Sequence, residues 1–309
     1  MLKMSGNEAL TSRGFISEPI PAKSSTLFPD GAHFRIEIPS VEGPTVLKAV
    51  VEAAARNGVV VNRVSQGSGA MLLSGVELTE MSRIAADTGL EVSLFIGPRE
   101  EWDLGNHARS VDGPTLAGRL RGFRQLRYAI EDVLRSVDCG IRGFLIADTG
   151  LLEILVDMQR KGQIPESVVW KISAMIAPSN PMTLLQLERL GASTVNVPSD
   201  VSLGQLSEMR AICAIPIDLY VEAPDAMGGV VRGHEMNDLV TVAAPMYVKF
   251  GLRNSKPLYP SGLHLLSEAT AIAEEKVHRA KVALEWVERS GKSIIQSLPG
   301  AIGLGIPEV

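Results

Sequence analysis

A closed α/β barrel of eight β–α units, the (β/α)8 or TIM-type barrel, is the fold that the sequence predicts. Short β-rich runs alternate eight times with loops and amphipathic helices over about 260 residues, which matches this barrel in count and length. Several of the strand runs end at or just before a proline, which cannot donate a hydrogen bond to a sheet. A doubly wound open sheet is the competing arrangement, and its G-x-G-x-x-G fingerprint is missing after the first strand.

The chain divides into a surface arm and one barrel domain. Residues 1–32 are rich in Ser, Pro and Gly and lack hydrophobic periodicity, so we expect an arm. Residues 33–309 are predicted to form a single barrel domain that includes a C-terminal tail around "GAIGLGIP". The predicted strands are 34–39, 59–65, 90–97, 143–148, 168–176, 193–198, 215–222 and 246–252.

The predicted helices carry start and stop signals. A glycine ends each of four of them, at 45–58, 77–89, 126–140 and 179–191. The last of these also offers Asn180 as the N-cap and Pro181 at the first helical position. A final long helix, 263–290, has apolar residues at helical spacing.

Composition bounds the class of protein. The chain has 309 residues, of which 45% are hydrophobic and 21% charged, as in globular proteins with a sizeable core. A net charge of −5 gives no reason to expect nucleic acid or an anionic membrane as a partner. The apolar runs are too short to span a bilayer, and the N-terminus lacks the apolar region of a secretory signal. With only Cys139 and Cys213, far apart, we expect a cytoplasmic protein, and a homo-oligomer stays open.

Alternation along the strands predicts which side chains fill the barrel. Apolar residues such as Ile36, Ile38, Val248 and Phe250 are expected to face the helices. The strand side chains of the opposite parity then point into the lumen, and they are mostly polar. These predicted lumen residues are Arg35, Glu37, Arg63, Ser65, Ser93, Asp148, Lys171, Ser173, Asn196, Asp218, Tyr220, Glu222, Tyr247 and Lys249.

Two interpretations of this polar lumen are open. A closed network of ion pairs and hydrogen bonds is the one we favour for the deeper residues Arg35, Arg63 and Asp218. A functional site is the one we favour for residues at the C-terminal strand ends, where barrel enzymes carry their chemistry. On this interpretation Lys249 lies opposite carboxylates such as Glu37 and Glu222, rather than alone in the lumen.

The strand-end residues suggest several chemistries. Glu37, Asp148 and Glu222 are candidates for acid–base work or for binding Mg²⁺ or Mn²⁺, which prefer oxygen ligands. Lys171 and Lys249 are candidates for a Schiff base with a carbonyl substrate, which requires a lysine with a depressed pKa. Because carboxylates are expected nearby, we favour an electrostatic role that clamps an anionic group.

Loops after the strands are predicted to bind that anion. The "VSQGSGA" loop (64–70) has glycines and serines that present backbone N–H groups as a nest, and the loops after strands seven and eight supply further candidates. The long segment 97–114 suits a lid over the mouth. The candidate substrate-binding residues are Ser65, Gln66, Ser68, Arg99, Asn196, Asp200, Tyr220, Arg253 and Asn254.

Several segments together resemble bacterial barrel proteins of the U32 peptidase family. They are "FRIEIPSVEGP", "NRVSQGSG", "NVPSD", "DLYVEAP" and "KFGLRN…YPSG". Over about residues 33–306, the resemblance implies a TIM-like barrel with its site at the strand ends, and peptide hydrolysis as one activity. The residues it points to are Glu37, Ser65, Asp200, Glu222, Lys249, Arg253 and Asn254. The chain departs from the family in lacking its His-Gly signature and, with two cysteines, the cysteine cluster of its accessory members.

The sequence therefore favours a barrel enzyme of hydrolase or lyase type that handles a small carboxylate or phosphate. A catalytically silent barrel that serves as an accessory or binding protein is the alternative from another class, and peptide hydrolysis is the third. A sealed mouth with every lumen charge paired would favour the silent barrel.

Overall fold

Eight parallel strands close into a barrel in the computed structural model, which describes residues 5–16, 19–99, 118–291 and 293–309. Every strand pairs with its sequence neighbours and β8 pairs with β1, so the predicted (β/α)8 fold is confirmed. The strands are β1 Phe34–Pro39, β2 Arg63–Gln66, β3 Glu91–Phe95, β4 Gly143–Ile146, β5 Val169–Ile172, β6 Thr194–Asn196, β7 Ile217–Glu222 and β8 Met246–Phe250.

Helices alternate with the strands. A short helix in the arm, α1 (Gly6–Thr11), was not predicted. The barrel helices are α2 Pro44–Asn57, α3 Gly75–Thr88, α4 Gly122–Asp138, α5 Thr149–Arg160, α6 Pro181–Leu190, α7 Leu203–Ile212, α8 Met236–Ala243 and α9 Leu266–Ser290. The predicted caps of α6 are confirmed, since the Asn180 side chain accepts from the Thr183 N–H and Gly191 closes the helix at φ +100°.

Seven of the eight strands are shorter than the sequence predicts, and β2 and β5 show why. β2 begins at Arg63 instead of 59, because the Asn62 side chain takes the place of a ladder partner and accepts from the Ile36 N–H at 3.0 Å. Gln296 of the C-terminal tail then donates to the Val60 carbonyl at 2.7 Å. β5 ends at Ile172 instead of 176, where the chain turns and the Ser173 hydroxyl accepts from the Met175 N–H.

The predicted alternation along the strands is confirmed for the outer face. Apolar strand residues, among them Ile36, Val92, Val195 and Val248, belong to one buried cluster with the apolar faces of the helices. Arg63, Lys171 and Glu37 are fully buried on the opposite face and meet across the barrel. The lumen is therefore filled largely by charged side chains.

The arm and the tail close the N-terminal end of the barrel. Phe28 of the arm packs edge-on against Tyr247, with the ring centroids 5.4 Å apart, and Arg35 lies over its face at 4.0 Å. Arg35 also donates to the Ser297 hydroxyl at 3.0 Å and to the Ile302 carbonyl at 2.6 Å, both in the tail. Because this end is covered, the lumen is approached from the C-terminal strand ends.

Two further observations complete the architecture. Within the described ranges, no helix combines the length and the apolar character that crossing a membrane requires. The lid predicted for segment 97–114 lies almost entirely outside the described residues.

Replacing Phe28 with alanine tests whether the arm belongs to the folded barrel. The ring is almost fully buried, so Phe28→Ala is expected to lower the free energy of unfolding by about 3 kcal/mol. Urea denaturation measures the change. Phe15→Ala is the matched control, because Phe15 lies in the same arm but is 62% exposed. It should change stability by less than about 0.5 kcal/mol. Equal stability of the two variants would show that the arm does not close the barrel.

Candidate active site

Arg63 organises the deeper layer of the lumen. Its Nε donates to Glu37 Oε2 at 2.7 Å, its Nη2 meets Asp218 Oδ1 at 2.5 Å, and its Nη1 donates to the Thr194 hydroxyl at 3.2 Å. The guanidinium also lies 3.4 Å above the ring of Tyr247. Burial alone would lower the Arg63 pKa, but the surrounding carboxylates outweigh it and hold the pKa well above its usual value. This layer is the closed network expected for the deeper residues.

Glu91 belongs to this layer and was missed by the sequence analysis. It starts β3 with the same parity as Ser93, so alternation alone places it inside the barrel. Its Oε2 accepts from the Gly305 N–H of the tail, and its Oε1 lies 3.5 Å from Arg63 Nη1 without a hydrogen bond. Burial raises the pKa of Glu91, and the nearby cation of Arg63 opposes that rise.

Two lysines share one oxygen of Glu37. Lys171 Nζ donates to Glu37 Oε1, and Lys249 Nζ lies 3.5 Å from the same atom. The Ser65 hydroxyl donates to it as well, at 2.6 Å. Burial would raise the Glu37 pKa, but the cations of Arg63, Lys171 and Lys249 hold it well below its usual value. Glu37 is thus a permanent counterion, which suits it poorly to act as a general acid.

The pKa of the Lys171 ammonium is depressed. Burial lowers its pKa to about 7, and the cation of Arg63 adds to the effect while Glu37 opposes it. Near neutral pH, the Lys171 side chain is therefore present both as an ammonium and as a neutral amine. A lysine with a depressed pKa is the condition that Schiff-base chemistry requires.

Lys249 lies at the boundary between the closed layer and the mouth. Its Nζ donates to Asn196 Oδ1 at 2.5 Å and stands 4.0 Å above the ring of Tyr220. Lys249 is 3% exposed and Tyr220 is 9% exposed, whereas Lys171 is fully buried. Of the two lysines, Lys249 is accordingly the one nearer the mouth.

The opposite wall of the mouth is apolar. Phe95, Leu145 and Ala147 form a small cluster separate from the main core. Arg99 lies above it with its guanidinium 3.7 Å from the centre of the Phe95 ring, and it donates to the Gly67 carbonyl. The mouth therefore combines one cationic wall and one apolar wall.

The nest predicted in the loop 64–70 binds an anion from the same chain. The N–H groups of Gly67 and Ser68 donate to the two carboxylate oxygens of Glu42, at 2.9 and 3.0 Å. Gln66 closes the loop on itself by pairing its amide with both backbone groups of Gly69. These backbone donors, predicted to bind substrate, are already satisfied by Glu42.

A tyrosine that the sequence analysis did not single out lies at the mouth. The ring of Tyr259, in the loop after β8, lies directly on Gly67, where a Cβ atom would overlap it. The Tyr259 hydroxyl is 2.5 Å from the Ser40 hydroxyl, and the Ser261 N–H donates to Ser68 Oγ at 2.7 Å. We call the segment 251–262 the β8 loop. The "YPSG" motif of the family resemblance contains this tyrosine, but the resemblance pointed to no role for it.

Backbone strain concentrates at this end of the barrel. The described residues other than glycine with positive φ are Ser40 (+62°), Ala177 (+43°) and Asn254 (+54°). They follow β1, β5 and β8, and all three lie in loops at the C-terminal strand ends. Such strain is characteristic of functional loops.

Two predicted carboxylates lie away from the lysines. Glu222 accepts from the Arg253 N–H at 3.1 Å and lies 3.7 Å from Arg279 of α9. The predicted position opposite Lys249 is wrong, because an irregularity between Tyr220 and Glu222 interrupts the alternation of β7. Asp148 instead caps α5, where its side chain accepts from the N–H groups of Leu151 and Leu120.

Other predicted binding residues lie on the rim. Asp200 is exposed between β6 and α7. Arg253 is largely exposed and lies 3.7 Å from Asp225, whose other oxygen accepts from the Asn254 N–H at 2.5 Å. These three residues do not contact the lysine pair.

The carboxylates expected to hold Mg²⁺ or Mn²⁺ do not form a ligand set. Glu37 is surrounded by cations, Asp148 caps a helix and Glu222 faces α9. Among the residues that the structure describes, no three His, Cys, Asp or Glu side chains group in a way that could hold a metal ion. The donor set therefore does not fit the expected metal.

Comparison with known proteins yields similarity of fold only. No family model matches the sequence, and no curated protein does. The putative copper homeostasis protein CutC from Streptococcus agalactiae is 15% identical with a TM-score of 0.48, over 70% of this chain and 97% of that one. Thiamine phosphate pyrophosphorylase from Pyrococcus furiosus is 8% identical with a TM-score of 0.47, over 83% and 98%. The U32 peptidase Mk0906 is 15% identical with a TM-score of 0.38, over 86% and 84%.

Replacing Gly67 with alanine tests the closure of the mouth. The added methyl group would overlap the Tyr259 ring, so we expect Gly67→Ala to displace the β8 loop and expose it. Hydrogen exchange followed by mass spectrometry should show faster exchange at Ser261, whose N–H is bonded to Ser68. Gly204→Ala is the control, since its Cβ would have no neighbour closer than 3.7 Å. Unchanged exchange at Ser261 would contradict the packing of Tyr259 on Gly67.

Proposed function

We propose that this chain is a barrel enzyme that binds a small carboxylate or phosphate over Lys249 and transfers protons with Lys171. The observation that carries the proposal is the sharing of Glu37 Oε1 by two ammonium groups and the Ser65 hydroxyl. Lys171 Nζ also lies 3.8 Å from Asp218 Oδ2, whereas the nearest oxygen to Lys249 Nζ belongs to the neutral Asn196 amide. Lys249 is therefore the ammonium of the pair that is best placed to attract an anion beneath the mouth.

The charges of the surrounding layer support this reasoning. Arg63, Lys171 and Lys249 are the cations that meet Glu37, and Asp218 is the other carboxylate held directly by Arg63. Glu91, the remaining buried acid of this layer, lies 3.5 Å from Arg63 Nη1 without a hydrogen bond, and burial raises its pKa. An incoming anion would meet Lys249 in a low-dielectric site, where the attraction is strong.

The two lysines suit different tasks. Lys249 is oriented by the Asn196 oxygen and by the Tyr220 ring, so its ammonium is positioned to bind charge. Lys171, whose burial lowers its pKa to about 7, suits proton transfer at neutral pH. Glu37 orients both groups, and Arg99 with the Phe95 wall provides a dry boundary on the opposite side.

A non-catalytic binding barrel is the second candidate, and one observation favours it. Lys171 is fully buried and both Glu37 oxygens are engaged, so the deeper layer is a saturated network of the kind that only supports the fold. The same anion would then bind at Lys249 without turnover. Peptide hydrolysis stays a prediction from the family resemblance.

Replacing Lys249 with methionine tests the anion site. Inorganic phosphate, pyruvate and malonate are the probes in a thermal-shift titration of the wild-type protein. A ligand that binds only the folded state stabilises it by about 2.7 kcal/mol at a hundred times its dissociation constant, so the midpoint rises with concentration. We expect Lys249→Met to abolish this rise, because it removes the ammonium but keeps an unbranched side chain.

Lys281→Met is the matched control, since Lys281 lies on the outer surface of α9 with its side chain 37% exposed. We expect Lys281→Met to leave the ligand-dependent rise of the thermal midpoint intact. That result would show that the loss in Lys249→Met does not come from the change in net charge. An equal response of both variants would remove Lys249 from the site. No response of the wild-type protein to any of the three anions would overturn the proposed function.

A further inference from the structure

The substrate class can be narrowed by the arrangement of the two lysines, on the premise of the proposed anion site. We propose that the site accepts a small 2-oxo acid, whose carboxylate binds Lys249 and whose carbonyl carbon forms an imine with the Lys171 amine. Both lysines lie beside the Glu37 carboxylate, so a nearby carboxylate does not by itself decide which of them stays an ammonium. Lys171 differs from Lys249 in burial and in its neighbours.

The geometry matches the spacing of the two functional groups in a 2-oxo acid. Lys171 Nζ contacts Glu37 Oε1, and Lys249 Nζ is 3.5 Å from that same oxygen. In a 2-oxo acid the carboxylate carbon is bonded directly to the carbonyl carbon. A substrate carboxylate that replaces Glu37 as the partner of Lys249 therefore brings its carbonyl carbon towards Lys171.

The surroundings supply the neutral amine that the reaction needs. Arg63 and Lys249 are cations near Lys171, and together with burial they favour loss of its proton. A nearby cation in a desolvated pocket is an established way to activate a lysine nucleophile. Lys249 keeps the contacts that favour an ammonium, namely the Asn196 oxygen and the face of the Tyr220 ring. The pair thus divides into a nucleophile and a charge clamp.

The condensation balances without a further reactant. The Lys171 nitrogen forms a bond to the carbonyl carbon, and the electron pair of the C=O bond moves to its oxygen. That oxygen takes up both amine protons and leaves as one molecule of water, while the nitrogen completes the C=N bond. The Ser65 hydroxyl, which donates to Glu37 Oε1 at 2.6 Å, is placed to relay these protons.

The mouth suits the rest of such a substrate. The wall formed by Phe95, Leu145 and Ala147 is apolar and lies on the path to the lysines, which fits the short carbon chain of a 2-oxo acid. Because Lys171 is fully buried and Lys249 is 3% exposed, a substrate needs a movement at the mouth to reach the pair, and the β8 loop, with Tyr259 resting on Gly67, is placed to make it. Closure of that loop over the bound substrate would then exclude water from the imine.

Reductive trapping tests the imine directly. The wild-type protein is incubated with pyruvate and sodium cyanoborohydride, and its intact mass is measured. We expect the mass of one reduced pyruvate adduct, and peptide mapping should place it on Lys171. Lys171→Met and Lys171→Arg should both remove the adduct. Lys249→Met should reduce the rate of trapping by about tenfold, the loss expected when a charge-assisted hydrogen bond to the carboxylate is removed.

Malonate separates this inference from the proposed function, because it has carboxylates and no ketone. It should raise the thermal midpoint and slow trapping by pyruvate, but it should leave no adduct. A malonate-dependent shift without any pyruvate adduct on the wild-type protein would overturn the imine and leave the anion site standing. Adduct formation on another lysine would also overturn it. Absence of both the shift and the adduct would overturn the anion site itself.

Discussion

The buried carboxylate of Glu37 is the constraint on which the lumen depends. It joins the deeper layer, through Arg63, to the pair of lysines beneath the mouth. A fully buried carboxylate is stable only when its charge is matched, and here three cations and the Ser65 hydroxyl match it. Removing any one partner changes the charge state of the others, so the network behaves as a unit.

The two lysines share this counterion but differ in their surroundings. Lys171 lies deeper, close to Arg63, and its pKa falls to about 7, whereas Lys249 keeps polar and aromatic contacts at the edge of the mouth. A barrel interior filled by aliphatic side chains would have no such asymmetry. The fold thus places two amines with different surroundings against a single oxygen. The Tyr259 ring lies on Gly67, in the loop after β2.

Local sequence patterns predicted the barrel and most of its lumen, because strand alternation has a strict period of two. These patterns failed where a residue plays another local role, such as capping a helix, or where its partner is distant in the sequence. Asp148 is equally suited to cap a helix, and a break in alternation moves Glu222 out of the lumen. Glu42 fills the nest predicted for substrate, and Tyr259 reaches Gly67 from the far end of the chain. The contact of Glu42 with the nest and that of Tyr259 with Gly67 leave no periodic signal in the sequence.

The pKa of Lys171 tests the central claim most directly. In protein labelled with ¹³C-lysine, the Cε resonance of Lys171, assigned by its loss in Lys171→Met, is followed as the pH is raised. The account predicts a midpoint of about 7 in the wild-type protein, and a lower one in Glu37→Gln, because Glu37 is the main group that stabilises the charged form. A midpoint near the ordinary lysine value of 10.5, unchanged by Glu37→Gln, would contradict it.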